Sequence, residues 1–190
     1  MNKGLRTFGI VVVLAACIGL GAYLAVNQRP QPKPSPPPPS HPVKKPAEAP
    51  TKVKTYRVAV ENNRTVLRPT EIEVKAGEDP AEGALKKLIE QGDSADLANP
   101  IPKGTRLLSF KFKDDLVTVD FSREFKDNFT GGSAEEGATI GAILKTLGQF
   151  PKIKRVEFFV EGKPLDTLGH LDLSGPQDVQ WVGSEFGGEN

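Results

Sequence analysis

The chain has 190 residues and 25 Lys and Arg against 24 Asp and Glu, but residues 55–190 alone carry 17 basic and 23 acidic residues. An acidic carboxyl-terminal part argues against nucleic-acid binding, which requires a basic surface for the phosphates. Its 136 residues suffice for one compact domain, while the single cysteine excludes an intrachain disulfide and leaves no Cys/His cluster with zinc-site spacing.

The first apolar segment is Phe8–Val26, a run of 19 residues without a charge. As a helix it would span roughly 28 Å, close to the ~30 Å hydrocarbon core of a bilayer. Lys3 and Arg6 precede it, so the positive-inside tendency places residues 1–7 in the cytoplasm and the remainder outside. The sequence therefore predicts a single transmembrane anchor over residues 8–26.

Two alternatives compete with the anchor. Leu14-Ala15-Ala16-Cys17 resembles a bacterial lipobox, in which Cys17 would be lipidated and become the mature amino terminus. Against this, the apolar run continues to Val26, where lipoproteins usually turn polar. A cleaved secretory signal is the other alternative, although the apolar run is long for that class. All three interpretations place residues 27–190 outside the cytoplasm.

A proline-rich linker follows, with ten prolines among residues 27–54. Proline fixes φ and donates no hydrogen bond, so neither a helix nor a sheet ladder is expected here. The composition predicts a disordered, largely polyproline II stalk that holds a domain away from the membrane.

The first half of that domain is predicted to contain two strands and a helix. Tyr56–Val60 alternates as a strand does, Asn62-Asn63 offers a tight turn, and 66–74 is a second strand whose Pro69 indicates an edge position or a bulge. Asp79, with Pro80 and Glu82 behind it, is a strong helix start, and Gly92 a stop.

The second half is predicted to contain a hairpin, a helix and a further strand. Residues 108–112 and 116–121 alternate on either side of Asp114-Asp115. Ser133 followed by Glu136 predicts a capping box that opens a helix to about Gly148, and 156–160 is the next strand. This order predicts an α+β domain over 55–182, with a mixed or antiparallel sheet and two principal helices on one face, followed by a Gly-rich tail, 183–190.

Four segments of this domain resemble the GerMN domain of GerM-type sporulation and spore germination proteins. They are Gly104–Leu108, Val117–Ser122, the helix end Lys145-Thr146-Leu147 and, as the best marker, Phe159-Val160-Glu161-Gly162-Lys163-Pro164. The resemblance implies an extracytoplasmic domain held by a lipid or a single helix. It also implies a fold similar to ring-building modules and a role in assembly or stability without catalysis. The chain has one such domain, whereas the sporulation protein has two in tandem.

Several residues could carry chemistry, but each also has a plain structural role. His170, Asp172 and Ser174 lie too close in sequence to form a catalytic triad without help from elsewhere in the fold. Thr130-Gly131-Gly132-Ser133 before a helix could cradle an anion, but acidic residues already occupy that helix end. Asp120 and Glu124 could contact a wall polymer, although a solvated rim is the simpler interpretation. No residue is assigned as catalytic, cofactor-binding or metal-binding.

The sequence thus predicts a single-pass membrane protein with a non-catalytic extracytoplasmic domain. It would bind envelope proteins or itself in cell-envelope organisation, through an edge strand at 66–74. The alternative function is a peptidoglycan-binding accessory to cell-wall hydrolysis, which predicts aromatic side chains clustered in an exposed groove.

Overall fold

The structure, a computed structural model, describes residues 49–180 of the chain. The predicted anchor 8–26 with Cys17, most of the predicted linker and the predicted tail 183–190 lie outside the described residues. Within 49–180, no helix combines the length and the apolar composition that crossing a bilayer requires.

Strands and helices alternate in an α+β order. In sequence they are β1 (Thr51–Glu61), β2 (Arg64–Val74), α1 (Pro80–Glu90), β3 (Leu107–Lys113), β4 (Leu116–Phe121), α2 (Glu124–Asp127), α3 (Ser133–Gly148), β5 (Arg155–Val160), β6 (Lys163–Pro164), β7 (Thr167–Leu168), β8 (Leu171–Asp172) and β9 (Gln177–Asp178).

The first two strands form a long antiparallel hairpin. Its register is continuous from Thr51 opposite Val74 to Glu61 opposite Arg64, so β2 contains no bulge. β1 starts four residues inside the segment predicted as linker, because Val53 already has a buried site in the core. The boundary at residue 55 was therefore placed too late.

One face of β1 is buried along most of the strand. The inward side chains are those of Val53, Thr55, Arg57 and Ala59, whereas Val60 is 74% exposed. Alternation in sequence correctly indicated a strand, but it did not show which face the rest of the fold would cover.

The main sheet has the order β3-β4-β5-β6, and β9 also pairs with β5. β3 and β4 form the predicted antiparallel hairpin, with a register shift between Leu107 and Ser109. β4 and β5 are parallel, which requires a crossover connection, and α3 lies in that connection.

Both longer helices share one core with the main sheet. The fully buried side chains come from α1 (Leu85, Leu88), α3 (Ile140, Ile143, Leu144, Leu147), β4 (Val117, Val119, Phe121) and β5 (Val156, Phe158). The start of α1 is as predicted, since Asp79 Oδ1 accepts hydrogen bonds from the backbone N–H groups of Ala81 and Glu82. The expected mixed α+β fold is confirmed.

Candidate functional site

The edge of β1 that faces away from β2 is covered by other parts of the fold. Lys54 donates its N–H to Gln149 Oε1 at 2.8 Å and accepts from Gln149 Nε2 at 2.7 Å, so this side chain acts as a strand partner. Two residues further, Tyr56 N–H donates to Thr146 Oγ1 at 3.3 Å. Val58 then exchanges two backbone hydrogen bonds with Ala98, at 3.0 and 2.8 Å.

The opposite edge of the hairpin, formed by β2, is open. In the register of β1 and β2, the backbone groups of Thr65, Leu67, Glu71 and Glu73 point away from β1. None of these outward groups forms a backbone hydrogen bond to another residue within 49–180. Pro69 also occupies an outward position, where its missing N–H costs no ladder bond. The edge position predicted from Pro69 is therefore confirmed.

The hairpin tip is a tight turn with an exposed apolar side chain beside it. Asn62 and Asn63 both have positive φ, 50° and 61°, the conformation of a type I′ turn. Below the turn Arg68 forms a two-pronged ion pair with Glu61, and the hydrogen bond from Arg68 lowers the pKa of the Glu61 carboxyl. Val60, 74% exposed, lies beside this fixed turn.

A cleft of about 620 Å³ opens next to the tip and is called here the hairpin cleft. Its walls are Val58, Val60 and Thr65 of the hairpin, the loop 98–103, the loop 128–132, and Glu135, Ala138 and Thr139 of α3. Lys103 and Glu135 are the two titratable residues among these lining residues. No pair of carboxylates with separated environments converges there, as acid–base catalysis would require.

Hydrogen bonds hold the cleft walls in place. The buried Arg57 donates to the carbonyl oxygens of Gly92 and Leu97, at 2.5 and 2.7 Å, and so fixes the chain leading into loop 98–103. Thr139 Oγ1 donates to Pro100 O at 2.8 Å, and Asn128 Nδ2 to Lys103 O at 2.7 Å. The cleft is therefore preformed.

The glycine loop that could have cradled an anion is occupied by a side chain of its own helix. Gly132, and not Ser133, precedes the first residue of α3, and Glu135 Oε2 accepts the Gly132 N–H at 3.0 Å. The predicted capping box of Ser133 and Glu136 was wrong by one position. Glu136 is instead buried, with its Oε1 3.3 Å from His170 Nδ1. The Glu135 carboxylate repels a second anion at this loop.

His170, Asp172 and Ser174 do not form a relay. Ser174 Oγ donates to Asp172 Oδ1 at 2.5 Å, and this bond, with a second one from the Ser174 N–H, lowers the pKa of Asp172. The imidazole of His170 faces Glu136. The three residues therefore stabilise a turn and leave no activated hydroxyl.

The segment that most resembles the GerMN domain has a structural role. Glu161 and Gly162 both have positive φ and form the turn between β5 and β6. Glu161 N–H donates to Phe121 O at 2.9 Å, and Gly162 N–H donates to Asp120 Oδ1 at 3.1 Å. Asp120, considered above as a wall-polymer contact, thus fastens this turn to the end of β4.

No group of three or more His, Cys, Asp or Glu side chains within 49–180 is arranged to bind a metal ion. The open β2 edge and the hairpin cleft adjoin at Thr65. The sequence predicted the edge but not the cleft beside it. Together they form the candidate interaction site.

Two solved structures from Bacillus subtilis share this fold. The first GerMN domain of the sporulation protein GerM is 20% identical, with a TM-score of 0.56, over 67% of this chain and 97% of that one. The tandem GerMN domains of the same protein are also 20% identical, with a TM-score of 0.55, over 68% of this chain and 45% of that one. At this identity the likeness shows the fold alone. Among curated proteins, none matches this chain.

The family profile named Germane and described as "Sporulation and spore germination" matches residues 45–166, which is well over half of the chain. The matched range runs from just before β1 to the turn after β6 and so contains both longer helices and the hairpin cleft. The chain therefore belongs to the Germane family of sporulation and spore germination proteins, and its domain is a GerMN domain.

Proposed function

We propose that this protein is a membrane-anchored, extracytoplasmic assembly factor that binds envelope proteins or further copies of itself and catalyses no reaction. In a spore-forming host, this role would belong to sporulation or germination. Residues 8–26 would hold it in the membrane, with the proline-rich segment giving the domain its reach.

The observation that carries the proposal is the open β2 edge beside the hairpin cleft. An unpaired strand edge binds another strand through main-chain hydrogen bonds, and adjacent pockets give specificity through side chains. Thr65 and Leu67 present the outward backbone groups nearest the tip, and Val60 adds an exposed apolar contact. The opposite edge of the hairpin is covered at Lys54, Tyr56 and Val58, which leaves β2 as the side available to a partner.

The chemistry of the cleft supports binding in preference to catalysis. The carboxylate of Glu135 is already hydrogen-bonded to the backbone of Gly132. Lys103 then has no partner group in the lining that could act with it as an acid–base pair.

A proline substitution tests the proposed edge directly. Because the N–H of Leu67 points away from β1, Leu67→Pro removes an outward donor and leaves the hairpin ladder intact, whereas Leu67→Ala shortens the same side chain but keeps the donor. A photo-cross-linking amino acid at Thr65 of the full chain, expressed in its host, should capture a partner protein or a second copy. We expect Leu67→Pro, but not Leu67→Ala, to abolish the adduct.

The control is the same photo-cross-linker at Lys126, an exposed position on α2. Equal adducts from Lys126 and Thr65, or adducts from Thr65 that persist in Leu67→Pro, would contradict binding at the β2 edge.

The alternative, a peptidoglycan-binding accessory to cell-wall hydrolysis, predicts aromatic side chains in an exposed groove. One observation favours it, since Phe110, Phe112 and Phe150 line a groove of about 330 Å³. Phenylalanine offers no hydrogen bond to sugar hydroxyls, however, which makes this the second candidate. Co-sedimentation of the full chain with purified peptidoglycan, lost in Phe112→Ala, would favour the alternative over the edge-binding role.

A further inference from the structure

The domain has a second open strand edge, formed by β3 of the main sheet. β3 pairs with β4 on one side only. The two strands are joined by a tight turn, and the residues that flank it, Lys113 and Leu116, form a pair. Counting back from this pair, the backbone groups of Phe110 and Phe112 point away from β4. Neither residue forms a backbone hydrogen bond on that side within 49–180. β3 therefore offers an unpaired row of donors and acceptors, in a different sheet from β2.

An apolar groove adjoins this edge and is called here the phenylalanine-lined groove. It measures about 330 Å³, and its walls are Phe110 and Phe112 of β3, the start of α1, and the connection 150–153 before β5. Val117 and Val119, opposite the two phenylalanines on β4, are fully buried, whereas Phe112 is 45% exposed. The cover over this face of the sheet therefore ends at β3. An apolar side chain placed beside Phe112 would remove both from water.

The opposite face of β3 is basic. Lys111 and Lys113 alternate with the phenylalanines and therefore project from the other face of the sheet. Both lysines are exposed, and neither forms an ion pair with a residue in the described part of the chain. Each face of the edge thus has its own chemistry, apolar on the groove side and positively charged on the other.

This arrangement selects the sequence of a strand that adds to β3. Side chains of the added strand that lie opposite Phe110 and Phe112 project towards the groove, and the one opposite Lys111 projects to the basic face. Apolar residues are favoured at the first positions and acidic residues at those between them, because opposite charges across a strand pair are stabilising. The edge therefore fits an extended segment in which apolar and acidic residues alternate.

Two other occupants fit less well. A second copy of β3 would add its own Lys111 and Lys113 to the basic face, and like charges on neighbouring strands are unfavourable. A glycan needs hydrogen-bonding groups, but of the described residues that line the groove only Asp79 and Lys152 have polar side chains. Asp79 already caps α1 through two hydrogen bonds, so little remains for sugar hydroxyls.

We propose that β3 binds an extended segment of another protein, in which apolar and acidic residues alternate, and that this segment adds to the main sheet as a further strand. Its apolar side chains fill the phenylalanine-lined groove and cover Phe112, and its carboxylates lie beside Lys111 and Lys113. The β2 edge belongs to the separate two-stranded sheet, so this site is a second one and does not depend on the role proposed for β2.

Two synthetic peptides test the chemistry of this edge. The acidic peptide, Glu-Val-Glu-Phe-Glu-Val-Glu, carries the alternation, and the basic peptide has lysine in place of each glutamate. Fluorescence anisotropy of the labelled peptides, titrated with the full chain in mild detergent, measures binding. We expect the acidic peptide to bind about tenfold more tightly at low salt, since each of the two lysines of β3 changes from an attractive to a repulsive neighbour when the basic peptide replaces it.

A charge exchange sharpens this test. Lys111→Glu/Lys113→Glu should reverse the preference, so that the basic peptide binds more tightly than the acidic one. The control Lys126→Glu/Lys163→Glu changes the net charge equally at exposed positions outside β3 and should keep the preference for the acidic peptide. All four lysines are exposed, so this test does not depend on variants of the core.

Variants of Phe112 test the groove and the backbone edge. Phe112→Ala should weaken binding of the acidic peptide several-fold. Phe112→Pro should weaken it further, because it also removes the outward N–H while the ladder to β4 remains. Leu67→Pro, which blocks the β2 edge, should leave binding of the acidic peptide unchanged.

The proposal would be overturned if the acidic peptide did not bind, if both peptides bound equally, or if the preference survived Lys111→Glu/Lys113→Glu. Equal losses of binding in Phe112→Ala and Phe112→Pro would show that no strand is added, and an equal loss in Leu67→Pro would place the peptide at β2. Displacement of the bound acidic peptide by soluble peptidoglycan fragments would also overturn the proposal, in favour of the glycan-binding alternative.

Discussion

The close approach of α1 to β2 gives a prediction in which two opposing effects can be separated. Gly83 is buried in α1, and a Cβ added to it would lie 2.4 Å from Cγ1 and 3.1 Å from Cγ2 of Val74. Val74 is 1% exposed and its β-branched side chain has little rotamer freedom, so it cannot move aside without cost. Gly83→Ala therefore introduces overpacking at this contact.

The expected change in stability combines the cost of overpacking with the gain in helix propensity. Overpacking of a well-packed site costs about 1–3 kcal/mol, and replacing glycine by alanine inside a helix returns about 1 kcal/mol. We expect Gly83→Ala to lower the free energy of unfolding by up to about 2 kcal/mol, or the urea midpoint by up to ~1 M. Val74→Ala alone should cost about 2–3 kcal/mol, because it removes two buried methyl groups and leaves a cavity.

The double variant Gly83→Ala/Val74→Ala tests the steric explanation. Once Val74 is alanine, the methyl group of Gly83→Ala occupies vacated space, and the substitution should stabilise by up to about 1 kcal/mol. The coupling free energy between the two sites should then be about 1–3 kcal/mol, the cost of the overpacking. Urea unfolding of the four proteins, followed by circular dichroism, measures it. A stabilising Gly83→Ala in the unmodified background, or a coupling near zero, would refute the steric explanation.

Three further outcomes are expected from urea unfolding. Leu144→Ala empties a fully buried site in α3 and should lower the free energy of unfolding by about 2–5 kcal/mol. A loss within about 0.5 kcal/mol, as is usual for surface substitutions, would mean that the core is not packed as described. Gln149→Ala removes both side-chain hydrogen bonds to Lys54 and should cost about 1–3 kcal/mol. Gln149→Glu should cost at least as much, because it places a carboxylate oxygen against the carbonyl oxygens of Lys54 and Thr146, and a smaller cost would contradict the strand-mimicking role. The hydrogen bond from Arg155 lowers the pKa of Asp115 below its ordinary value of 3.8, so the stabilisation is present above that pH and is lost as the pH falls through the lowered value. The urea midpoints of the unmodified chain and Asp115→Asn should therefore differ at neutral pH and converge in acid. If the difference between the two midpoints does not change with pH, this exposed ion pair does not contribute to stability.

Local chemistry made several elements predictable. Asp79 and Pro80 begin α1 because a side-chain acceptor and a fixed φ satisfy the first turn without help from the rest of the fold. Asn62-Asn63 tolerates the positive φ of a tight hairpin turn, and Pro69 marks an edge because no central strand can lack a donor there.

The two cavities were less predictable, because each is lined by residues that lie far apart in sequence. The hairpin cleft joins Val60, Pro100 and Gly131, and the phenylalanine-lined groove joins Phe112 and Phe150. The cap of α3 was misplaced by one residue, because Glu135 and Glu136 are equivalent in sequence. Only the site next to Gly169 gives Glu136 a buried position, with its Oε1 1.9 Å from where a Cβ of Gly169 would lie.

By itself, the sequence indicated most of the strands, helices and turns, the α+β class of the domain, and the resemblance of four segments between residues 104 and 164 to a GerMN domain. The tertiary structure alone decided which face of each strand is buried. Arg57 is inside because the carbonyl oxygens of Gly92 and Leu97 accept its hydrogen bonds. Val60 is exposed because it lies two residues beyond Val58, where the pairing of β1 with Ala98 ends. Alternation gives a strand two faces, and only the neighbouring elements determine which of them is removed from water.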